Sequence, residues 1–172
     1  FSTSLNKWFS DKLRLDAGFQ QKYFIGKNFK VVNDLLGADF ALDYDKFAER
    51  DLPDPVAAQS DLNNPNRLVA EGDVFGYNYN SNVMESKLWT QVSFDTRKVN
   101  LFMSAFGSYT DMWRTGMMRN GKFPENSYGD SEHQTFTDYG VKTGVLFKID
   151  GRNYIHGHAA YMTQAPTFRN TY

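Results

Sequence analysis

The stretch Asp138-Tyr139-Gly140-Val141-Lys142-Thr143-Gly144-Val145-Leu146-Phe147-Lys148-Ile149-Asp150-Gly151-Arg152-Asn153-Tyr154-Ile155-His156-Gly157-His158-Ala159-Ala160-Tyr161-Met162-Thr163 decides how the chain is read. Tyr139, Val141, Thr143, Val145, Phe147 and Ile149 share one parity, and Asp138, Gly140, Lys142, Gly144 and Lys148 the other. Successive side chains of a strand point to opposite faces, so this spacing predicts a strand with one apolar and one polar face. Asp150-Gly151 is the dipeptide of tight hairpins. A return strand follows, with Ile155, Gly157, Ala159, Tyr161 and Thr163 set against Tyr154, His156, His158 and Gln164.

The same period extends upstream. Leu13, Leu15, Ala17, Phe19, Gln21, Tyr23 and Ile25 alternate with Arg14, Asp16, Gly18, Gln20, Lys22 and Phe24. A strand over about 86–94 sets Leu88, Thr90, Val92 and Phe94 against Lys87, Trp89, Gln91 and Ser93. After the turn Asp95-Thr96-Arg97-Lys98 come Val99, Leu101, Met103, Ala105, Gly107 and Tyr109, opposite Asn100, Ser104, Ser108 and Thr110, with Phe102 and Phe106 as apolar exceptions. A short strand over 4–9, turning at Ser10-Asp11-Lys12, makes about six. Three connections are tight; the others, roughly 26–84, 116–134 and the segment after Pro166, are long. The first long connection is expected to hold short helices near 30–36 and 45–50, the second capped by Asp45. Asp61-Leu62-Asn63-Asn64-Pro65-Asn66 is turn chemistry.

Composition narrows the class. The 172 residues suit one domain or a piece of a larger one, and the 41% hydrophobic content does not announce a thick soluble core. Aromatics make up 16% of the chain, so much of its apolar surface is aromatic. Lys+Arg number 19 against 20 Asp+Glu, and a net charge of -1 removes the electrostatic case for a nucleic-acid binder. With no cysteine, disulfide scaffolds, thiolate metal sites and Cys nucleophiles are excluded. No run of 18 apolar residues supports a transmembrane helix, but a barrel strand needs only about 9–11 residues and shows alternation instead. Phe1 and Tyr172 both read as cut ends, so the chain is expected to be a segment of a longer polypeptide.

Alternation alone also fits a soluble sandwich. Two features lean toward lipid. Arg14, Asp16, Lys22, Lys87, Lys142 and Lys148 all fall on the polar parity of the five clear strands. A one-residue slip would carry them into hydrocarbon, at about 2–4 kcal/mol for each Arg or Lys at the midplane. Tyr23, Tyr109, Tyr139 and Tyr161 stand on the apolar parity about 10–12 residues from the nearest tight turn. At ~3.3 Å per residue and a tilt near ~40°, that is roughly 25 Å from the turns, the height of an aromatic girdle. The strand over 86–94 has Met84 or Ser86 there instead. Six strands cannot close a barrel, since the smallest bacterial ones have eight. The expected fold class is all-β: antiparallel hairpins from a large transmembrane β-barrel, residues 1–172 forming part of that one domain, with long extracellular loops that contain short helices.

The loops add a resemblance. Met118-Arg119-Asn120-Gly121-Lys122-Phe123-Pro124-Glu125-Asn126-Ser127-Tyr128-Gly129, with 61–66 and Phe75-Gly76-Tyr77-Asn78-Tyr79, resembles the large TonB-dependent outer-membrane receptors, especially those of Bacteroidetes-type bacteria. The resemblance spans essentially the whole chain but only part of such a receptor's barrel. It implies a 22-stranded barrel occluded by an N-terminal plug, placement in the bacterial outer membrane, and import of a scarce ligand with energy relayed from the inner membrane. The partners implied are outer-membrane lipid, the rest of the barrel and plug, the TonB energy-coupling complex, and a small-molecule or glycan ligand. Neither the plug nor the energy-coupling box is in the sequence.

Candidate chemistry is sparse. His156 and His158 lie two apart on one strand face and could chelate a metal, but no third ligand is positioned nearby by sequence, and a place on a lumen wall is the simpler reading. Asp39, Asp43 and Asp45 lack the spacing and turn glycine of a calcium loop, so capping and solvation account for them. Trp113, Arg114, Arg119, Asn120, Glu125 and Asn126, following Asp111, combine an aromatic with guanidinium and amide groups, which suits an anionic chelate or a sugar. The competing reading is a girdle Trp, a loop-stabilising ion pair and turn residues. No Ser/His/Asp order, phosphate-cradling Gly loop or HExxH motif appears, so neither an enzyme nor a cofactor is expected. Transport is the first expectation. A soluble β-rich binding or adhesion module, recognising a glycan or protein, is the second. A complete barrel of about eight strands, were the first long connection to hide another hairpin, is the third.

Overall fold

A computed structural model describes residues 1–52 and 54–172. The elements are β1 (Ser2–Ser10), β2 (Leu13–Val31), β3 (Ala41–Leu42), α1 (Lys46–Asp51), β4 (Leu68–Val69), β5 (Val74–Asp95), β6 (Val99–Gly116), β7 (Gly129–Asp130), β8 (Gln134–Lys148), β9 (Tyr154–Met162) and α2 (Phe168–Thr171). The fold is all-β. One sheet has the order β1-β2-β5-β6-β8-β9, with β7 paired to β6, and β3 pairs with β4 in a separate two-stranded sheet. The large sheet is open: β1 and β9 are its edges and do not pair with each other.

All three tight turns form where expected, each tied by its own side chains. Thr96 Oγ1 accepts from the Val99 amide at 2.9 Å, and the Thr96 amide donates to the Val99 carbonyl at 2.7 Å. Lys12 donates its amide to Ser10 Oγ at 3.3 Å. The Asp150-Gly151-Arg152 turn is flanked by a bond from the Ile149 amide to Asn153 O at 2.9 Å, with β8 stopping at Lys148 and β9 starting at Tyr154. Asp150 Oδ1 accepts the Arg152 and Asn153 amides, both at 2.8 Å, and the carboxylate takes both contacts of the Asn153 amide group. An Asp side chain bonded in this way mimics a turn of backbone. These bonds hold the Asp150 carboxyl below the usual carboxylate range, Asn153 contributing most.

Several boundaries move. The first long connection is 32–73 rather than 26–84, because β2 runs on to Val31 and β5 begins at Val74. The Val32 amide donates to Asp73 O at 2.9 Å, and Gly72 donates back to Val32 O at 2.8 Å. Lys27, Asn28 and Lys30 break the apolar pattern there, but the ladder needs only backbone groups and continues past the point where burial stops shaping the sequence. For the same reason the expected helix near 30–36 is absent. Lys30 and Val31 are strand, and the chain turns through Leu36 and Gly37 at φ 54° and 89°, with Asp34 Oδ1 accepting the Leu36 amide. The second helix forms as α1, with Asp45 as its N-cap accepting from Phe47 and Ala48. The segment after Pro166 is not all loop, since Phe168–Thr171 is one helical turn. Among the described residues the extra pairing inside the first connection is β3 with β4, two residues each, and a single antiparallel bridge between Tyr44 and Gln59.

The chain divides into two compact units. Unit 1 comprises Phe1–Tyr23, Met84–Asp111 and Thr135–Thr171. In β8 and β9 the register pairs Val141 with Tyr161, Thr143 with Ala159, Val145 with Gly157 and Phe147 with Ile155. Tyr139, Val141, Val145, Phe147, Ile155 and Tyr161 on this face are all exposed, as are Leu88, Val92 and Phe94 of β5 and Leu101, Met103 and Tyr109 of β6. The buried residues of this unit are Gly18, Ser93, Thr110, Asp138, Gly140 and Gly144, all of the polar parity. The glycines explain the two apolar exceptions of the sequence. A Cβ built on Gly140 would stand 2.4 Å from the Phe106 ring, and one on Gly144 2.3 Å from the Phe102 ring. Each phenylalanine thus covers bare backbone on β8 and has an ammonium near its ring: Lys87 Nζ 4.1 Å from the centroid of Phe106, Lys142 Nζ 5.8 Å from that of Phe102. Trp89 covers Gly18 in the same way.

The β1–β2 register adds what the sequence left open. Leu5 faces Ala17, Lys7 faces Leu15 and Trp8 faces Arg14, so Lys7 lies on the apolar parity, near the tight-turn end, and Trp8 on the polar one. Where the 86–94 strand lacks a girdle tyrosine, Ser86 Oγ bonds Gln21 Oε1 at 2.6 Å, satisfying two polar groups on the apolar parity.

Unit 2 comprises Phe24–Val83, Met112–Gln134 and Tyr172. It holds every buried hydrophobic side chain among the described residues: Val32, Ala48, Ala57, Ala58, Val69, Met112 and Met118.

Candidate functional site

The two long connections meet within unit 2 through backbone groups. Leu62 donates its amide to Arg119 O at 2.7 Å, Arg119 donates to Asp61 Oδ1 at 2.9 Å, and Gly121 donates to Gln59 O at 2.9 Å. Gly121 is required at its position, since a Cβ there would stand 1.9 Å from the Val56 carbonyl oxygen. Gln59 binds Asn66 and Tyr44 through its amide group, closing the 59–66 turn. The stretches 59–66 and 118–129 are therefore one folded body.

The candidate residues are largely occupied in building that body. Arg114 donates to Asn126 O at 2.6 Å and has its guanidinium 5.7 Å from the Tyr79 ring centroid. Arg119 Nε donates to Pro124 O at 3.0 Å. Asn120 Oδ1 accepts the Lys122 amide, and the Asn120 amide donates to Ser127 Oγ. Trp113 stacks on His133, ring centroids 4.6 Å apart. Glu125 and Asn126 are exposed at the tip. Guanidiniums spent on loop carbonyls stiffen the loop but offer little to a ligand.

Of the six, Asn120 also lines a concavity of unit 2 of about 650 Å³. Val32 and Val69 give it an apolar floor, with Ala41 and Leu42 of β3 beside them. Tyr44, Phe47, Phe75 and Tyr77 supply aromatic walls, and Lys30, Asp34, Asp45 and Lys46 supply charge. Lys30 Nζ lies 5.0 Å from the Tyr77 centroid and 5.9 Å from that of Phe75. Behind the wall, Asp43 is buried. Its Oδ1 accepts the Gly76 amide at 2.9 Å, and its Oδ2 faces Arg67 at 3.9 Å without a hydrogen bond. The sequence reading missed this cleft because its parts come from 30–47, 60, 69, 75–77 and 120. Phe75-Gly76-Tyr77 was the one local signal.

The other candidates disperse. Asp45 caps α1, Asp43 holds Gly76, and Asp39 is exposed, so the three carboxylates do not converge. His156 and His158 have ring centroids 5.7 Å apart on the polar face of unit 1, beside Phe102, in a pocket of about 350 Å³ that Arg14 and Asn100 also line. Among the described residues no group of three or more His, Cys, Asp or Glu side chains could hold a metal. Comparison of the chain with protein-family models, curated proteins and solved structures finds no match.

Proposed function

We propose that the chain is a wall segment of a transmembrane β-barrel in a bacterial outer membrane, belonging to a plugged, energy-coupled receptor of the TonB-dependent kind that its loop sequences resemble. In this reading unit 1 stands in the bilayer and unit 2 captures ligand outside. The ligand then passes along the polar face as the plug rearranges. The residues here supply recognition and a walled path, with no chemical step.

One observation carries the reading: along β5, β6 and β8 of unit 1 the large apolar side chains of one parity are exposed, while every buried residue of the unit lies on the glycine-rich polar parity; β1 and β9 are exposed on both faces. In water this arrangement forgoes roughly 1.5–3 kcal/mol for each large side chain left unburied, over at least ten residues of β5, β6, β8 and β9. In hydrocarbon the same arrangement is favourable, because interstrand bonds satisfy the backbone. Support also comes from Tyr23, Tyr109, Tyr139 and Tyr161, all exposed, the rings of Tyr139 and Tyr161 6.2 Å apart. Lys7, near the turn end, can extend its ammonium to the interface. The free edge of β9, with no charge or proline from Tyr154 to Met162, lacks the devices that protect a water-exposed edge and suits a further strand.

The test is membrane fractionation of the parent protein with heat-dependent migration on gels. A barrel segment gives an integral membrane protein whose mobility changes on boiling. A freely soluble, cooperatively unfolding monomer ends the reading. The soluble binding module has one observation in its favour, the apolar core and interlocked connections of unit 2, and that outcome would support it.

A further inference from the structure

The cleft of unit 2 contains two carboxylates and two ammoniums, and they are not equivalent. Asp34 Oδ1 accepts the Leu36 amide at 2.7 Å, and Asp45 Oδ1 accepts the Phe47 and Ala48 amides, so both carboxylates already serve the backbone. Lys30 makes no ion pair among the described residues. Its ammonium rests on the rings of Tyr77 and Phe75. Ring faces attract the cation but leave its outward N–H donors without an anionic acceptor. Lys46 lies on the same wall and is exposed.

We propose that this cleft binds a small organic anion with a flat, apolar body. The anionic group would sit on the Lys30 ammonium and the body against Phe75 and Tyr77, over the floor of Val32 and Val69. A cavity of about 650 Å³ falls within the range of small-molecule sites, roughly 300–1,000 Å³, which pair an apolar lining with a few polar groups. A neutral sugar would call on carboxylate and amide acceptors, and here Oδ1 of Asp34, Asp45 and Asn120 is engaged by the Leu36, the Phe47 and Ala48, and the Lys122 amides, which leaves a sugar the two Oδ2 atoms alone among these groups. The Asp43 bond to Gly76 fixes the backbone between Phe75 and Tyr77, which holds the two rings ready. The proposal rests on the capture step above for its place in transport, whereas binding itself is a property of unit 2.

The probes are 2-naphthoate and its neutral isostere 2-naphthylmethanol, titrated by calorimetry and saturation-transfer NMR. The full chain is held in nanodiscs, with an empty-nanodisc blank; a chain that does not enter lipid is titrated in buffer, so failure of the bilayer reading leaves this test standing. Naphthoate is expected to bind at least about tenfold more tightly than the alcohol, a factor equal to ~1.4 kcal/mol. Lys30→Gln brings naphthoate down to the level of the alcohol, Lys30→Arg retains the preference, and Ala41→Trp, which fills the cleft, abolishes saturable binding of both. Equal binding of the two probes, naphthoate binding indifferent to Lys30→Gln, or maltotetraose binding where naphthoate does not, overturns the proposal. Lys30 is exposed, so Lys30→Gln gives a folded test even where Ala41→Trp does not.

Discussion

The two units solve the problem of apolar side chains in opposite ways. Unit 2 buries Val32, Val69, Met112 and Met118 and ties its connections together with polar side chains and backbone bonds, as a water-soluble body does. Unit 1 turns Leu88, Met103, Val141, Phe147 and Ile155 outward and packs phenylalanine over glycine on its polar face. The same strands, β2, β5, β6 and β8, contribute to both. Secondary structure therefore does not decide where an apolar residue points. Unit 1 is the arrangement expected of a sheet whose solvent is lipid on one side.

Substitutions that respect one unit should break the other. The largest effect is expected from Gly121→Val in unit 2, where the new side chain meets the Val56 carbonyl. A loss of about 3 kcal/mol or more would show as rapid proteolysis within 54–66 and 117–128. Unchanged protection would mean that the two connections are not locked together. Next is Met103→Arg on the exposed face of unit 1. In lipid it should cost about 2–4 kcal/mol, read from denaturant unfolding in vesicles, whereas Ser104→Arg on the polar face should cost less than about 0.5 kcal/mol. Equal costs for the two would erase the contrast between the faces.

Phe106→Ala uncovers Gly140 and removes the seat of Lys87. About 1–2 kcal/mol is expected, and Lys87→Met, which keeps an apolar cover on the ring, should cost less. The smallest effect concerns pH. The Asp150 carboxyl is held below its ordinary value by Asn153 and the Arg152 amide. Its contribution is therefore complete above the unfolded carboxylate pKa, near ~3.9, and is lost as pH falls through the lower folded value. Protection of the Arg152 and Asn153 amides, taken as exchange relative to the intrinsic rate at each pH, should fall on acidification through that window. Asp150→Asn should flatten the dependence.

How much of this was legible depends on which residues had to match a solvent. The strand over 138–148 could be read because apolar and polar environments differ across its faces, and the same holds for 13–23, 86–94 and 99–110. The continuations of β2 to Val31 and of β5 back to Val74 could not, since Lys27, Asn28, Asn78 and Asn80 interrupt the apolar alternation, and the bond from the Asn28 side-chain amide to Ser81 Oγ joins residues 53 apart. Phe102 and Phe106 looked anomalous on a polar face until Gly144 and Gly140 came opposite them. Arg114 and Arg119 were legible as residues where a strand enters the second long connection, but only the fold shows their guanidiniums bound to the Asn126 and Pro124 carbonyls. The Lys30 cleft draws on segments dozens of residues apart, and no local spacing announces it.

The most direct test of the central claim exploits the absence of cysteine from these 172 residues, any cysteine elsewhere in the parent protein being replaced by serine. Single cysteines placed in turn along 141–148 of the parent protein in lipid vesicles would carry a nitroxide. Relaxation by oxygen, which concentrates in hydrocarbon, would then be compared with relaxation by a water-soluble nickel chelate. The account predicts a two-residue period, with 141, 143, 145 and 147 accessible to oxygen and shielded from nickel, and 142 and 148 the reverse. Nickel access at every position, or no alternation between the parities, would contradict it.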